Sequence, residues 1–314
     1  MNLDGQSIFK RIANIFLNEL KENKELLFKI IGISLLCSIL NHLQNHFESN
    51  VSEIAFYVCY MLVIILIVTS FSNIVAISTK SISKLKNFMN MIIPILITLL
   101  LTMGNIATAA SIQPVVLVMI SIISTVLSNL IIPIIMASTV LNIVSNISKE
   151  IKLESIGKFF NKSMMYLIEF MMIIFVGILS LEGTLSAGVD GMTAKVAKTV
   201  VSNSVPIVGK LLGDATESVI GSISITKNAV GVIGILIIVA ITSGPIIKSF
   251  LLMMMFNFTS GICDSIADNR ISRCLSIAAD SIKLVFGIMI MVTFLFIIAI
   301  TLMIKMSNLS LIYK

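Results

Sequence analysis

The stretch VFGIMIMVTFLFIIAITLMI, Val285 to Ile304, decides the fold. It carries no charge and no proline, and its single glycine is isolated. At about 20 residues it matches what a helix needs to cross a hydrocarbon core of about 30 Å. Tyr60 to Val68 and Pro114 to Thr125 repeat the pattern. Across the chain of 314 residues, 57% are hydrophobic and 12% charged. A soluble domain cannot bury that much apolar surface, so the bilayer is the solvent. The fold class is therefore all-α: a polytopic helical integral membrane protein with six to seven transmembrane helices.

The expected spans are 54–79, 89–110, 114–147, 164–182, 228–258 and 277–304. A seventh run, 26–43, carries Lys29, Asn41 and His42 and either spans or lies in the interface. The 114–147 run is about 50 Å long as a helix, so it projects or kinks at Pro133. Basic residues cluster in 1–29, in 80–88 (Lys80, Lys84, Lys86), in 149–162, and around Lys248, Arg270, Arg273 and Lys283. The alternate links 44–53 and 104–113 have none. Positive residues mark the cytoplasmic side, which puts the N-terminus inside and the C-terminus outside for seven spans. The same placement explains the net charge of +6 without nucleic acid.

Four segments follow: a polar amphipathic 1–25, transmembrane helices in 26–182, a glycine-rich insert at 183–227, and transmembrane helices in 228–314. The insert reads as two short amphipathic helices broken at Pro206, either non-cytoplasmic or re-entrant. Gly209 and Gly213 form a GxxxG that Gly221 extends; such spacing lets helix backbones approach, or simply marks loop glycines. Candidate intramembrane polar groups are Glu169, Lys248 after the Ser243-Gly244-Pro245 triplet, and Asp280 with Lys283 at i,i+3. The plainer readings are a Glu169 near the interface, a snorkelling Lys248 and an Asp280–Lys283 pair.

Little points to chemistry. Cys37, Cys59, Cys263 and Cys274 show no CxxC spacing, and the 19 Met residues are dispersed filler. His42 and His46 are two lone ligands rather than a metal site. No Walker, GxSxG or HExxH motif occurs. The expectation is a non-enzyme with no cofactor and no metal.

Several phrases point to a family. They are Phe88 to Pro94, Gln113-Pro114, Pro133, Phe175-Val176-Gly177, Asp190-Gly191 and Val205 to Gly209. Lys227 to Gly234, with Gly231 and Gly234, the step from Pro245 to Lys248, and Asp268-Asn269-Arg270 complete the set. In order and spacing, over about residues 9 to 304, the chain resembles the stage III sporulation protein AE family of endospore-forming Firmicutes. The resemblance implies a subunit of the complex encoded by the stage III A sporulation operon, in the mother-cell membrane around the engulfed forespore. It implies partners: a separate ATPase and ring-forming subunits from that operon, and indirectly stage II sporulation protein Q. By analogy with secretion systems, it implies an export-gate-like channel or platform. Candidates for helix packing or a pore are Pro206, Gly209, Gly213, Gly221, Gly231 and Gly234. A self-contained secondary transporter and a purely structural scaffold are the alternatives. Relatives usually carry a signal-like segment and an extracytoplasmic stretch before the equivalent of residue 1. No secretory signal is read at residue 1 here, so a short variant or an incomplete start is expected.

Overall fold

The computed structural model describes residues 28–39, 50–146, 154–204, 208–266 and 269–312, with Lys21 and Glu25. Pro206, the segment 1–20 and the pair His42 and His46 lie outside the described residues. Among the described residues there is no strand, and the only non-helical positions are Met103–Asn105 and Asn146. The elements are a short α1 (Phe28–Ile39), α2 (Asn50–Thr102), α3 (Ile106–Val126), a π-helical turn (Leu127–Ile131), α4 (Ile132–Ser145), α5 (Glu154–Ser204), α6 (Val208–Ile266) and α7 (Asn269–Ile312). Five stretches are long and apolar enough to cross a membrane: Tyr57–Thr102, Ile106–Ser145, Ser155–Glu182, Ser218–Ser265 and Asn269–Lys305. The chain is thus an all-α polytopic membrane protein. The described part of the 26–43 run, α1, rises only about 18 Å, short of a bilayer core.

The helices are longer than single crossings. Expected spans 54–79 and 89–110 were to be joined by a basic link at 80–88. Instead 54–79, the basic link and residues 89–102 form the single 53-residue α2, about 80 Å long, and the rest of the second expected span passes through the Met103–Asn105 turn into α3. The reason is local. Residues 80–88 contain no glycine or proline, and Ser81, Ile82, Leu85 and Met89 bury one face at helical spacing. Lys80 and Lys84 point outward from that turn. A charged turn need not be a loop when its inner face packs.

Near Pro133 the expected kink takes a definite form. Proline lacks the N–H that would close the preceding helical turn. The chain answers with the π-helical turn Leu127–Ile131 immediately before it, then resumes as α4. The Ser243-Gly244-Pro245 triplet behaves differently: α6 runs unbroken through it for 59 residues, with Pro245 buried. Both bounds of the predicted insert, 183 and 227, fall inside α5 and α6.

One turn is tight. Between α2 and α3, Gly104 sits at φ 82°, a left-handed conformation that only glycine adopts without strain. Its N–H and that of Asn105 donate to the carbonyls of Leu101 and Leu100 at 2.9 and 3.1 Å, closing the end of α2.

The chain forms two compact units, and each long helical rod contributes to both. The first comprises residues 1–81, 128–167 and 242–290. Its core holds Tyr60, Phe71, Ile135, Phe256, Leu275 and Ile282. The second comprises 82–127, 168–241 and 291–314, with Leu85, Ile120, Phe175, Ile238, Phe296 and Ile300 inside. α7 is the most buried helix: 50% of its membrane-length window is covered, against 17% for α5. α5 instead presents Tyr166, Phe170, Ile173 and Leu181 outward, an apolar face suited to lipid.

Candidate functional site

In hydrocarbon, apolar contact alone does not hold helices together. Close backbone approach and interhelical hydrogen bonds do. The buried polar groups therefore show where the bundle is pinned.

In the first unit, three helices meet at a polar node. The Asn146 side-chain amide, at the C-cap of α4, donates to the Arg270 carbonyl of α7 at 2.7 Å. It also lies 3.2 Å from Cys274 Sγ and 3.3 Å from the Tyr60 hydroxyl of α2. Tyr60 and Cys274 are themselves bonded at 3.1 Å, and both are fully buried. Two further contacts extend the pattern. Ser260 and Ser272 exchange hydrogen bonds with each other's carbonyls across the α6–α7 turn at 2.9 and 3.1 Å. The Ser138 hydroxyl of α4 donates to the Gly157 carbonyl of α5 at 2.7 Å.

Asn146→Ala is expected to cost about 2 kcal/mol, because the Arg270 carbonyl and the tyrosine–thiol pair all lose a partner. Tyr60→Phe leaves Asn146 bonded to Arg270 and is expected to cost about 1 kcal/mol. Melting of the two variants in detergent checks the order.

In the second unit, a carboxylate reaches across helices. α3 begins at Asn105, whose side chain does not cap it. Asp190 of α5 takes that role: its two carboxylate oxygens accept from the N–H groups of Ala107 and Thr108 at 2.9 and 2.8 Å. Asp190 is buried, and the positive end of the α3 dipole favours its charge. Asp190 lies in the predicted insert, so at least this part of the insert packs on a transmembrane helix.

The seam between α6 and α7 has a second clamp. The Lys227 ammonium, fully buried, donates to the Ile304 carbonyl at 2.8 Å. One turn on, Gly231 faces the same residue: a Cβ there would overlap Ile304, with its Cγ1 at 2.7 Å. Gly234 comes next on that face, where a Cβ would overlap Ile92 and sit 3.1 Å from Ile300 Cδ1. Lysine clamp and glycine notches form one close contact between α6, α7 and α2.

The other residues singled out from the sequence fall elsewhere. Gly221 has no atom within contact range of its Cβ position. Gly209 and Gly213 lie in the first turns of α6, and Pro206 lies outside the described residues. Glu169 is exposed on the outer face of α5, and Lys248 is half-buried. Asp280 and Lys283 are both exposed on α7. Among the described residues the only ion pair within 4 Å is Glu25–Lys29 at 3.7 Å, so Asp280 and Lys283 do not close a bridge. No group of three metal-ligating side chains occurs among the described residues.

Sequence reasoning did not single out Tyr60, Asn146, Asp190 or Lys227 as site residues. For Lys227 a signal existed: it is an isolated charge at the start of the uncharged run 228–247.

Comparison with known proteins adds the remaining information. The family described as stage III sporulation protein AE matches residues 1–307. A protein of Bacillus subtilis (strain 168) named stage III sporulation protein AE is 29% identical over 310 residues, 98% of this chain and 78% of that protein. No solved structure matches.

Proposed function

The chain belongs to the stage III sporulation protein AE family, and from that premise we propose that it is the polytopic, export-gate-like platform of a channel complex between mother cell and forespore. Its place is the mother-cell membrane surrounding the forespore. Its partners are the other stage III A operon proteins, including a separate ATPase and ring-forming subunits, and indirectly stage II sporulation protein Q. It acts without catalysis or cofactor.

The observation that carries this reading is the family match over nearly the whole chain, together with rods of 44 to 59 residues in α2, α5, α6 and α7. Such rods exceed one bilayer core and suit a platform that meets partners beyond the membrane. The buried polar groups support it too. Asp190, Lys227, Tyr60, Asn146 and Cys274 are engaged with helix ends, carbonyls and one another, which builds rigidity rather than a reaction centre. A secondary transporter would draw its binding site from broken helices, and α6 passes unbroken through Ser243-Gly244-Pro245. A structural scaffold remains the nearer alternative.

A clean deletion is expected to arrest spore formation after engulfment, with heat-resistant spore counts restored by the intact gene. Normal spore counts from the deletion would sink the reading. Restoration by a chain whose passage is chemically blocked would favour the scaffold.

A further inference from the structure

Lys158 and Lys162 stand one turn apart near the start of α5, and both side chains are exposed. Ser155, Phe159 and Tyr166 are exposed with them. At 3.6 residues per turn the five positions fall within one arc of about 100°. The direction of that arc is fixed from behind. Gly157 is buried on the opposite side of the helix. There its carbonyl accepts from Ser138 of α4 at 2.7 Å, and a Cβ on it would overlap the Asn142 side chain. The lysines therefore point away from α4. All of these residues belong to the first compact unit.

Aromatic rings crowd the same face. Phe159 is 67% exposed and Tyr166 58%. Lys162 Nζ lies 5.7 Å from the centre of the Tyr166 ring, and Phe159 meets Phe160 edge to face at 6.1 Å. The chain as a whole is only 7% aromatic and has no tryptophan, so this is a local concentration. No acidic residue occurs from 155 to 168.

The depth of these groups follows from the helix rise. The membrane-length stretch of α5 begins at Ser155. Lys158 and Lys162 are about 6 Å apart along the axis, which matches one headgroup layer of roughly 5–8 Å. Tyr166 follows about 6 Å further on, at the boundary with the acyl chains, where amphipathic rings settle. Orientation in the membrane accounts for lysines at this end of the helix. It does not account for their pairing with exposed rings on one arc. Positive charge fits an anion and the rings fit hydrocarbon, and an acidic phospholipid carries both.

We propose that this face of α5 binds an anionic phospholipid, with the phosphate between Lys158 and Lys162 and the acyl chains along Phe159 and Tyr166. The lipid arrives laterally from the bilayer, so the site needs neither a cavity nor the conduit.

The absence of tryptophan supplies the test, because one introduced indole has no background. Tyr166→Trp keeps a ring beside Lys162. Phe294→Trp, at a position 58% exposed in the uncharged run Val285 to Ile304, is the control. Each full-length variant is reconstituted in vesicles of equal parts phosphatidylcholine and phosphatidylglycerol, with one lipid or the other carrying brominated acyl chains. At position 166, brominated phosphatidylglycerol is expected to quench roughly threefold more than brominated phosphatidylcholine. At position 294 the two are expected to quench alike. Lys158→Gln with Lys162→Gln is expected to abolish the preference at 166. Equal quenching at 166, no quenching there by either lipid, the same preference at 294, or a preference that survives both glutamines overturns the proposal.

Discussion

Asp190→Ala is expected to destabilise the protein by about 3–5 kcal/mol, a large effect for one side chain. The carboxylate satisfies the N–H groups of Ala107 and Thr108, both at the start of α3. Removing it strands the buried Thr108 N–H and the part-buried Ala107 N–H at the positive end of a helix dipole. The bonds are charge-assisted, so each is worth more than a neutral pair. Asp190→Asn keeps one acceptor and loses the charge, and is expected to cost about half as much. The measurement is thermal unfolding of the purified chain in detergent. Equal melting of wild type and Asp190→Ala would show that the cap is dispensable. Because Asp190 also ties the distal part of α5 to α3, faster proteolysis within 183–204 is expected to accompany the loss.

The second large effect is at Gly231. A valine there is expected to cost about 3 kcal/mol, and an alanine about 1 kcal/mol. An alanine Cβ meets the side chain of Ile304, whose terminal methyl can swing away, whereas branched carbons drive into the chain nearer Cγ1. The damage extends further because Lys227, one turn earlier, bonds to the carbonyl of the same Ile304. Separating the helices strands a fully buried ammonium. A double-mutant cycle isolates the cause: Ile304→Ala opens the space, so Gly231→Ala should cost little in that background. Additive losses in the cycle would show that the two residues do not meet.

Much of this was legible in the residues, and the split has a pattern. Gly231 and Gly234 are helix-packing or pore candidates on sequence, and in the structure both sit against isoleucines of other helices. Pro133 announced a disturbance, which takes the form of a π-helical turn. The division of α2 into two spans was misread. Lys80, Lys84 and Lys86 depress hydropathy in a window, but the window average ignores which face each side chain occupies. With Ile82, Leu85 and Met89 packed inward, the helix continues. Lys227 and Asp190 belong to the family-like phrases, but no local pattern reveals their partners. Ile304 is 77 positions from Lys227, and Ala107 is 83 from Asp190.

The sequence by itself determined the solvent, the helical class and the family. Hydropathy sums locally along the chain, and an unsatisfied backbone in lipid leaves the helix as the available form. Only the tertiary structure decided where helices end, which charges are buried and what they hold. Those outcomes depend on partners far away in sequence: a carboxylate that caps another helix, an ammonium that meets a distant carbonyl, and a charged turn kept helical by its packed inner face.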